Sequence, residues 1–149
     1  MLAVLYGGEG IVLDEVPSCQ AVKFSVKIGH HFPLHSAAPA KAVLAFLSED
    51  EQARYLSEIH YTVFTETTHR NRASLENELA QIRQQGFAFD RGEELDEIRC
   101  AAAPIFDHRG QPIAAISIGG PRSRLTDANL KRCAQLVKES AARITSSYR

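Results

Sequence analysis

The chain has no uninterrupted apolar stretch near the roughly 20 residues that span a bilayer, and no charged N-terminal segment followed by an apolar run. The expectation is a cytoplasmic protein that does not enter a membrane. It also lacks any dense run of Lys and Arg. With a net charge of -1, these 149 residues offer no stripe to track phosphates, so the segment is not expected to grip DNA by itself. Cysteine is sparse: Cys19, Cys100 and Cys133 are an odd number at wide spacings, which fits reduced thiols and not a disulfide framework. The glycine cluster Gly7-Gly8-Glu9-Gly10 lacks the following helix that a phosphate-cradling loop needs. Another strand-like run follows it, so it is read as the turn of a hairpin joining 2–6 to 11–16.

What is present is ordinary globular material. Apolar residues make up 44% and charged residues 23%, enough for one core over residues 1–149 and far from a disordered composition. The chain begins inside its first strand, which raises the expectation of further sequence upstream in the parent protein. After Pro17, residues 21–28 alternate Val22, Phe24, Val26 and Ile28 against Lys23, Ser25 and Lys27, the pattern of a third strand. Ser48 with Glu51 forms a capping box that opens a helix running to about residue 60. The threonine-rich stretch 62–72 reads as an ordered crossover. Leu75, Leu79 and Ile82 then mark a helix over 72–85, closed by Gly86. Three antiparallel strands follow at 87–90, 98–106 and 112–119, turned by Asp107 to Gly110. Along the last strand neither face carries a charge, so both are expected to be covered. Thr126 caps a final helix striped by Leu130, Cys133, Ala134, Val137, Ala141 and Ile144. This order of elements predicts an α+β fold on an antiparallel sheet, with no internal repeat.

The stretch 29–47 is the natural centre of function. Three histidines lead through Pro33 into small residues and then a helix carrying Val43, Leu44 and Leu47 on one face. A loop feeding a helix N-terminus can dock a small polar or anionic molecule. His30, His31 and His35 with Cys100 are chemically suited to zinc, although their spacing matches no zinc pattern, and surface or hydrogen-bonding histidines are the simpler reading. Cys100 as a nucleophile has no neighbour in sequence to lower its pKa, and a buried inert thiol is favoured. Asp90, Glu93 and Glu94 have no convergent nucleophile, so Asp90 is read as a hydrogen-bond acceptor and the glutamates as solvated or paired. Lys41 is read as a surface residue or the partner of a carboxylate.

The runs Gly29-x3-Pro33-Leu34-His35-x5-Lys41-Ala42-x-Leu44-Ala45, Leu79-x2-Ile82-Arg83-x2-Gly86-Phe87-x2-Asp90, Glu93-Glu94, Cys100-x-Ala102-x-Pro104-Ile105-x-Asp107-x2-Gly110 and Ala114-Ala115-Ile116-Ser117-Ile118-x-Gly120-Pro121 span nearly the whole chain. Together they resemble the effector-binding domain of IclR-type bacterial transcriptional regulators. The resemblance implies a GAF/profilin-like fold, a central antiparallel sheet flanked by helices, with a small-molecule pocket beneath the loop 29–47. It implies an N-terminal winged helix-turn-helix that these residues do not include, so operator DNA would be contacted only through that part. It further implies self-association to a dimer or tetramer, no cofactor and no catalysis.

By the same resemblance, the pocket would use backbone around Ala38 and Pro39, polar contacts from Asp90, Cys100, Ser117 and position 119, and an apolar wall of Ala21, Phe24, Phe32 and Ile98. Here the residues depart from relatives that hold small acids. Pro39 has no N–H to donate, Gly119 has no hydroxyl, Ala40 replaces a glycine, and Glu97 stands where glycine is common. A larger or more apolar ligand, an aromatic acid or a phenol-like compound, is expected in place of a small 2-oxo acid. The readings from other classes are a GAF-like enzyme using Cys100 and a zinc-dependent sensor using the histidines.

Overall fold

A computed structural model describes residues 1–148. Strands β1 (Leu2–Tyr6) and β2 (Glu9–Asp14) form the expected hairpin, and β3 (His31–Phe32) follows a long connection. Helices α1 (Ala38–Leu44), α2 (Glu49–Glu58) and α3 (Arg72–Gln85) come next, then β4 (Ala88–Asp90), β5 (Ile98–Phe106) and β6 (Pro112–Pro121), and finally α4 (Asp127–Ser147). The six strands make one sheet in the order β3-β2-β1-β6-β5-β4. Every neighbouring pair is antiparallel.

The sheet is covered on both faces because its side chains alternate. On β5, Cys100 and Ala102 join the core under α1, while Ala101, Ala103 and Ile105 join the core under α4. Helix α1 is buried over its whole length. The small side chains of Ala38, Ala40, Ala42, Ala102 and Ala115 share its core, which lets the helix lie close to the sheet. The capping readings hold: Ser48 accepts from the N–H of Glu51, Thr126 from that of Asn129, and Gly86 ends α3 in the left-handed conformation at φ 84°.

Two expectations are corrected. Residues 21–28 form no strand; they run as an irregular strap in which Val22 and Ile28 are exposed while Phe24 and Val26 are half-buried. The alternation is present but no neighbouring strand pairs with it, and the backbone is held by side chains instead: Glu15 takes the Ser25 hydroxyl at 2.9 Å and the Val26 N–H at 3.1 Å. The far end of β6 is also less covered than its sequence suggests. Ala114, Ala115 and Ser117 are buried, but Ile118 and Gly119 are exposed, because β1 pairs only as far as Ile116.

Gly10 of β2 is a close-approach position. A Cβ built there would lie 1.9 Å from the Phe32 ring, so the missing side chain is what lets that ring pack on the sheet. Gly10→Ala is expected to displace Phe32 and cost about 1–3 kcal/mol, read as a lowered midpoint of urea unfolding. An unchanged midpoint would show that Phe32 has room to move.

Candidate functional site

Helix α1 has seven residues, no side-chain cap at Ala37, and Pro39 in its first turn. A helix this short does not stand alone and is held by what packs round it. Its N-terminal residues Ala37, Ala38 and Pro39 form the rim of a cavity of about 380 Å³. The opposite walls come from Val12, Phe24, Val26, Phe32, Leu95 and Ile98, and the polar groups that reach it include Asp90, Glu94, His30 and Lys27. Cys100 lies in the floor.

Of the residues expected to build a pocket, Ala38, Pro39, Asp90, Cys100, Phe24, Phe32 and Ile98 are brought together here. Ser117 and Gly119 line an adjoining cavity of about 510 Å³, which shares Met1, Phe24, Val26 and Cys100 with the first. Ala21 is exposed on the strap and lines neither cavity. Sequence reasoning did not single out Glu94 or Leu95 as walls. Their place follows from the loop after β4 folding back over the sheet, which local periodicity does not report.

Burial holds back ionisation of the acidic groups along the cavity. Burial pushes Asp90 up to about 6 although its Oδ1 accepts N–H groups from Gly92 at 2.9 Å and Glu93 at 2.8 Å. Burial also raises Glu94. The Cys100 thiol is pushed up to about 12, by burial first and by the charge of Asp90 second, so it holds its proton at any physiological pH.

The three histidines do not converge. His31 pairs with Glu9 at 2.6 Å on the surface, His35 is buried against the Thr62 carbonyl at 2.9 Å, and His30 faces the cavity. Among the described residues, the one set of three ligand-type side chains close enough to share an ion is His69, Glu78 and Glu93. A protein cation already sits there. Lys41 Nζ, with a side chain 0% exposed, lies 2.6 and 2.7 Å from the two oxygens of Glu93 and 3.0 and 3.1 Å from those of Glu78. His69 bonds Glu78 in turn, and the Thr68 hydroxyl donates to the Glu93 carbonyl at 2.6 Å. The expectation of a paired Lys41 is right, and that of a surface lysine is wrong. A lone lysine in an Ala-rich helix without any polar face was the available signal.

The family described as bacterial transcriptional regulator IclR C-terminal matches residues 1–146. The chain belongs to that family. It is similar to the transcriptional repressor IclR of Escherichia coli, 36% identical over 140 residues, which cover 94% of this chain and 51% of that protein. The HTH-type regulator XynR of E. coli is 36% identical over 129 residues, 87% of this chain and 51% of its own length. The chain thus spans about half the length of these curated relatives. Among solved structures, the Thermotoga maritima IclR superposes with a TM-score of 0.92 at 33% identity, over 99% of this chain and 60% of that one. The C-terminal domain of E. coli KdgR superposes at 0.86 with 30% identity, over 97% and 84%. The chain is an effector-binding domain of the IclR type, with the GAF/profilin-like architecture that its motifs imply.

The buried cluster generates a pH dependence. Burial pushes Glu93 up to about 7, outweighing the charge of Lys41 because Glu78 competes for the same ammonium. Burial opposes ionisation of Glu78 too, but the His69 hydrogen bond and Lys41 hold it down at about 2. Groups raised on folding, Glu93 and Asp90, stabilise below their unfolded values near 4.5 and 3.8 and lose that contribution as pH climbs through 7 and 6. Glu78 acts oppositely, and its contribution fades as pH falls from 4.5 toward 2. Stability in urea should therefore peak near pH 4 and fall by on the order of 5 kcal/mol toward pH 8. Glu93→Gln should remove about half of that fall, the rest belonging to Asp90. A midpoint that rises between pH 5 and pH 8 contradicts the assignment.

Proposed function

We propose that the cavity beneath the α1 rim is the effector site, and that it takes a small aromatic acid or a phenol. The observation that carries this reading is the lining itself: an apolar wall of Phe24, Phe32, Val12, Leu95 and Ile98, met by the few polar groups Asp90, Glu94, His30 and Lys27. At about 380 Å³ it suits a substituted single ring. A ligand hydroxyl can donate to Asp90, and a ligand carboxylate can face Lys27 or His30. Pro39 offers no N–H and Gly119 no hydroxyl, which weakens the case for a small 2-oxo acid.

In this reading the ligand acts by population shift. It favours one arrangement of the α1 rim, the loop after β4 and the strap, and so biases how subunits pair. The curated relatives are named as repressors and as HTH-type regulators. The part of such a protein outside this domain would carry the helix-turn-helix, and two of them would be spaced to fit or miss operator half-sites. A dimer or tetramer in the cytoplasm, without cofactor or catalysis, completes the proposal. Cys100, protonated and buried, is unsuited to nucleophilic work.

Thermal-shift and calorimetric titration with benzoate, phenol, pyruvate and glyoxylate test the ligand class. Benzoate or phenol should raise the unfolding temperature while the 2-oxo acids leave it in place; the reverse outcome would sink the aromatic assignment. Asp90→Asn should weaken a phenolic ligand by about tenfold, the cost of one hydrogen bond to a charged acceptor. Alkylation at pH 8 addresses the enzyme reading separately. Iodoacetamide should modify the exposed Cys19 and spare Cys100 until the protein is unfolded.

A further inference from the structure

The strap between β2 and β3 carries Phe24 and Val26, and these two side chains, with Met1 and Cys100, line both cavities. Apart from the Glu15 bonds, the strap is tied across the molecule by Arg124, whose guanidinium donates to the Val22 carbonyl at 2.6 Å. Beneath it, Cys100 of β5 stands opposite Gly119 of β6 in the register of the sheet. A Cβ built at Gly119 would meet Phe24 Cδ1 at 3.7 Å and the Cys100 Cβ at 3.8 Å, ordinary contact distances, so the Phe24 ring lies over Gly119 and covers the space into which a longer side chain there would project. In the second cavity Ser117 is 4% exposed, and its hydroxyl has no partner but the neighbouring Cys100 thiol, a weak one. A buried hydroxyl so weakly paired is a place where a ligand atom gains a bond at little desolvation cost.

We propose that Phe24, seated on Gly119, is a specificity-determining partition: it divides one cleft into a front chamber under α1 and a rear chamber over Ser117, and so limits the length of ligand accepted. The chain has placed an aromatic ring where a side chain at position 119 would otherwise reach toward the ligand. A single ring is accommodated in the front chamber without reaching Ser117. A rigid two-ring acid reaches Ser117 only by displacing Phe24 or in its absence. This inference rests on the reading of the cleft as the effector site.

Calorimetric titration of the purified chain with benzoate and with biphenyl-4-carboxylate reads the proposal as a ratio of two affinities. In Phe24→Ala the affinity for the biphenyl acid relative to benzoate should rise by about tenfold or more over the unsubstituted protein, with Phe24→Leu between the two. A ratio unchanged within about twofold in both variants overturns the partition. Circular dichroism establishes that each protein is folded, and if Phe24→Ala is not, the rise in Phe24→Leu decides the matter alone. Should folded protein of every form bind neither acid, the effector reading itself fails and the partition falls with it, an outcome distinct from an unchanged ratio.

Discussion

The Lys41 ammonium is the constraint on which the rest of the domain depends. It lies at the centre of a helix with no exposed residue, held between the carboxylates of Glu93 and Glu78. Removing such a charge from water is costly, and an unpaired one would be costlier still than the helix it sits on could tolerate. Folding therefore has to deliver both carboxylates to one point. Glu78 comes from α3 and Glu93 from the loop after β4, so the ammonium ties three parts of the chain that are distant in sequence. Its own protonation is secure, because the two carboxylates together outweigh the effect of burial and raise its pKa.

That tie explains why the rim of the cavity is well defined although α1 is short and uncapped. Two residues before Lys41, Pro39 fixes the backbone at the helix entrance, and the small side chains of α1 let it settle onto β5 and β6. On the other side, Asp90 takes N–H groups from Gly92 and Glu93 and so shapes the turn that presents Glu93 to Lys41. The hydroxyls of Thr65 and Thr67 both reach the Gly92 carbonyl, and Thr68 reaches that of Glu93. The threonine-rich crossover thus spends its hydroxyls on satisfying the carbonyls of this turn, which are otherwise without strand partners.

Much of this was legible in the residues and some was not, for identifiable reasons. Local signals located the hairpin, the capping box at Ser48, the N-cap at Thr126, the αL glycine after α3 and the antiparallel trio β4 to β6, because each is encoded within a few residues. The strap 21–28 misled because alternation reports which side chains seek cover and says nothing about whether a neighbouring strand exists to pair with the backbone. Lys41 and Glu93 could each be read as half of a pair, but which carboxylate meets which cation depends on contacts 37 and 52 residues apart. Most of the residues that the family motifs imply line the cavity, while Ala21 is carried away from it by the irregular path of the strap.

Asp90 belongs to both the cavity and the charge cluster, and this shared membership has a consequence for how occupancy can be felt elsewhere. Its Oδ1 holds the turn that carries Glu93, while the side chain also faces the cavity. A ligand that donates to this carboxylate stabilises its charged form, strengthening the grip on the Gly92 and Glu93 N–H groups. The added negative charge is felt by Lys41 and opposed by Glu93, which already competes with Glu78 for the ammonium. If the cavity is the effector site proposed above, binding at the front of α1 and the balance of charge behind it are linked, and each shifts the other by the same free energy.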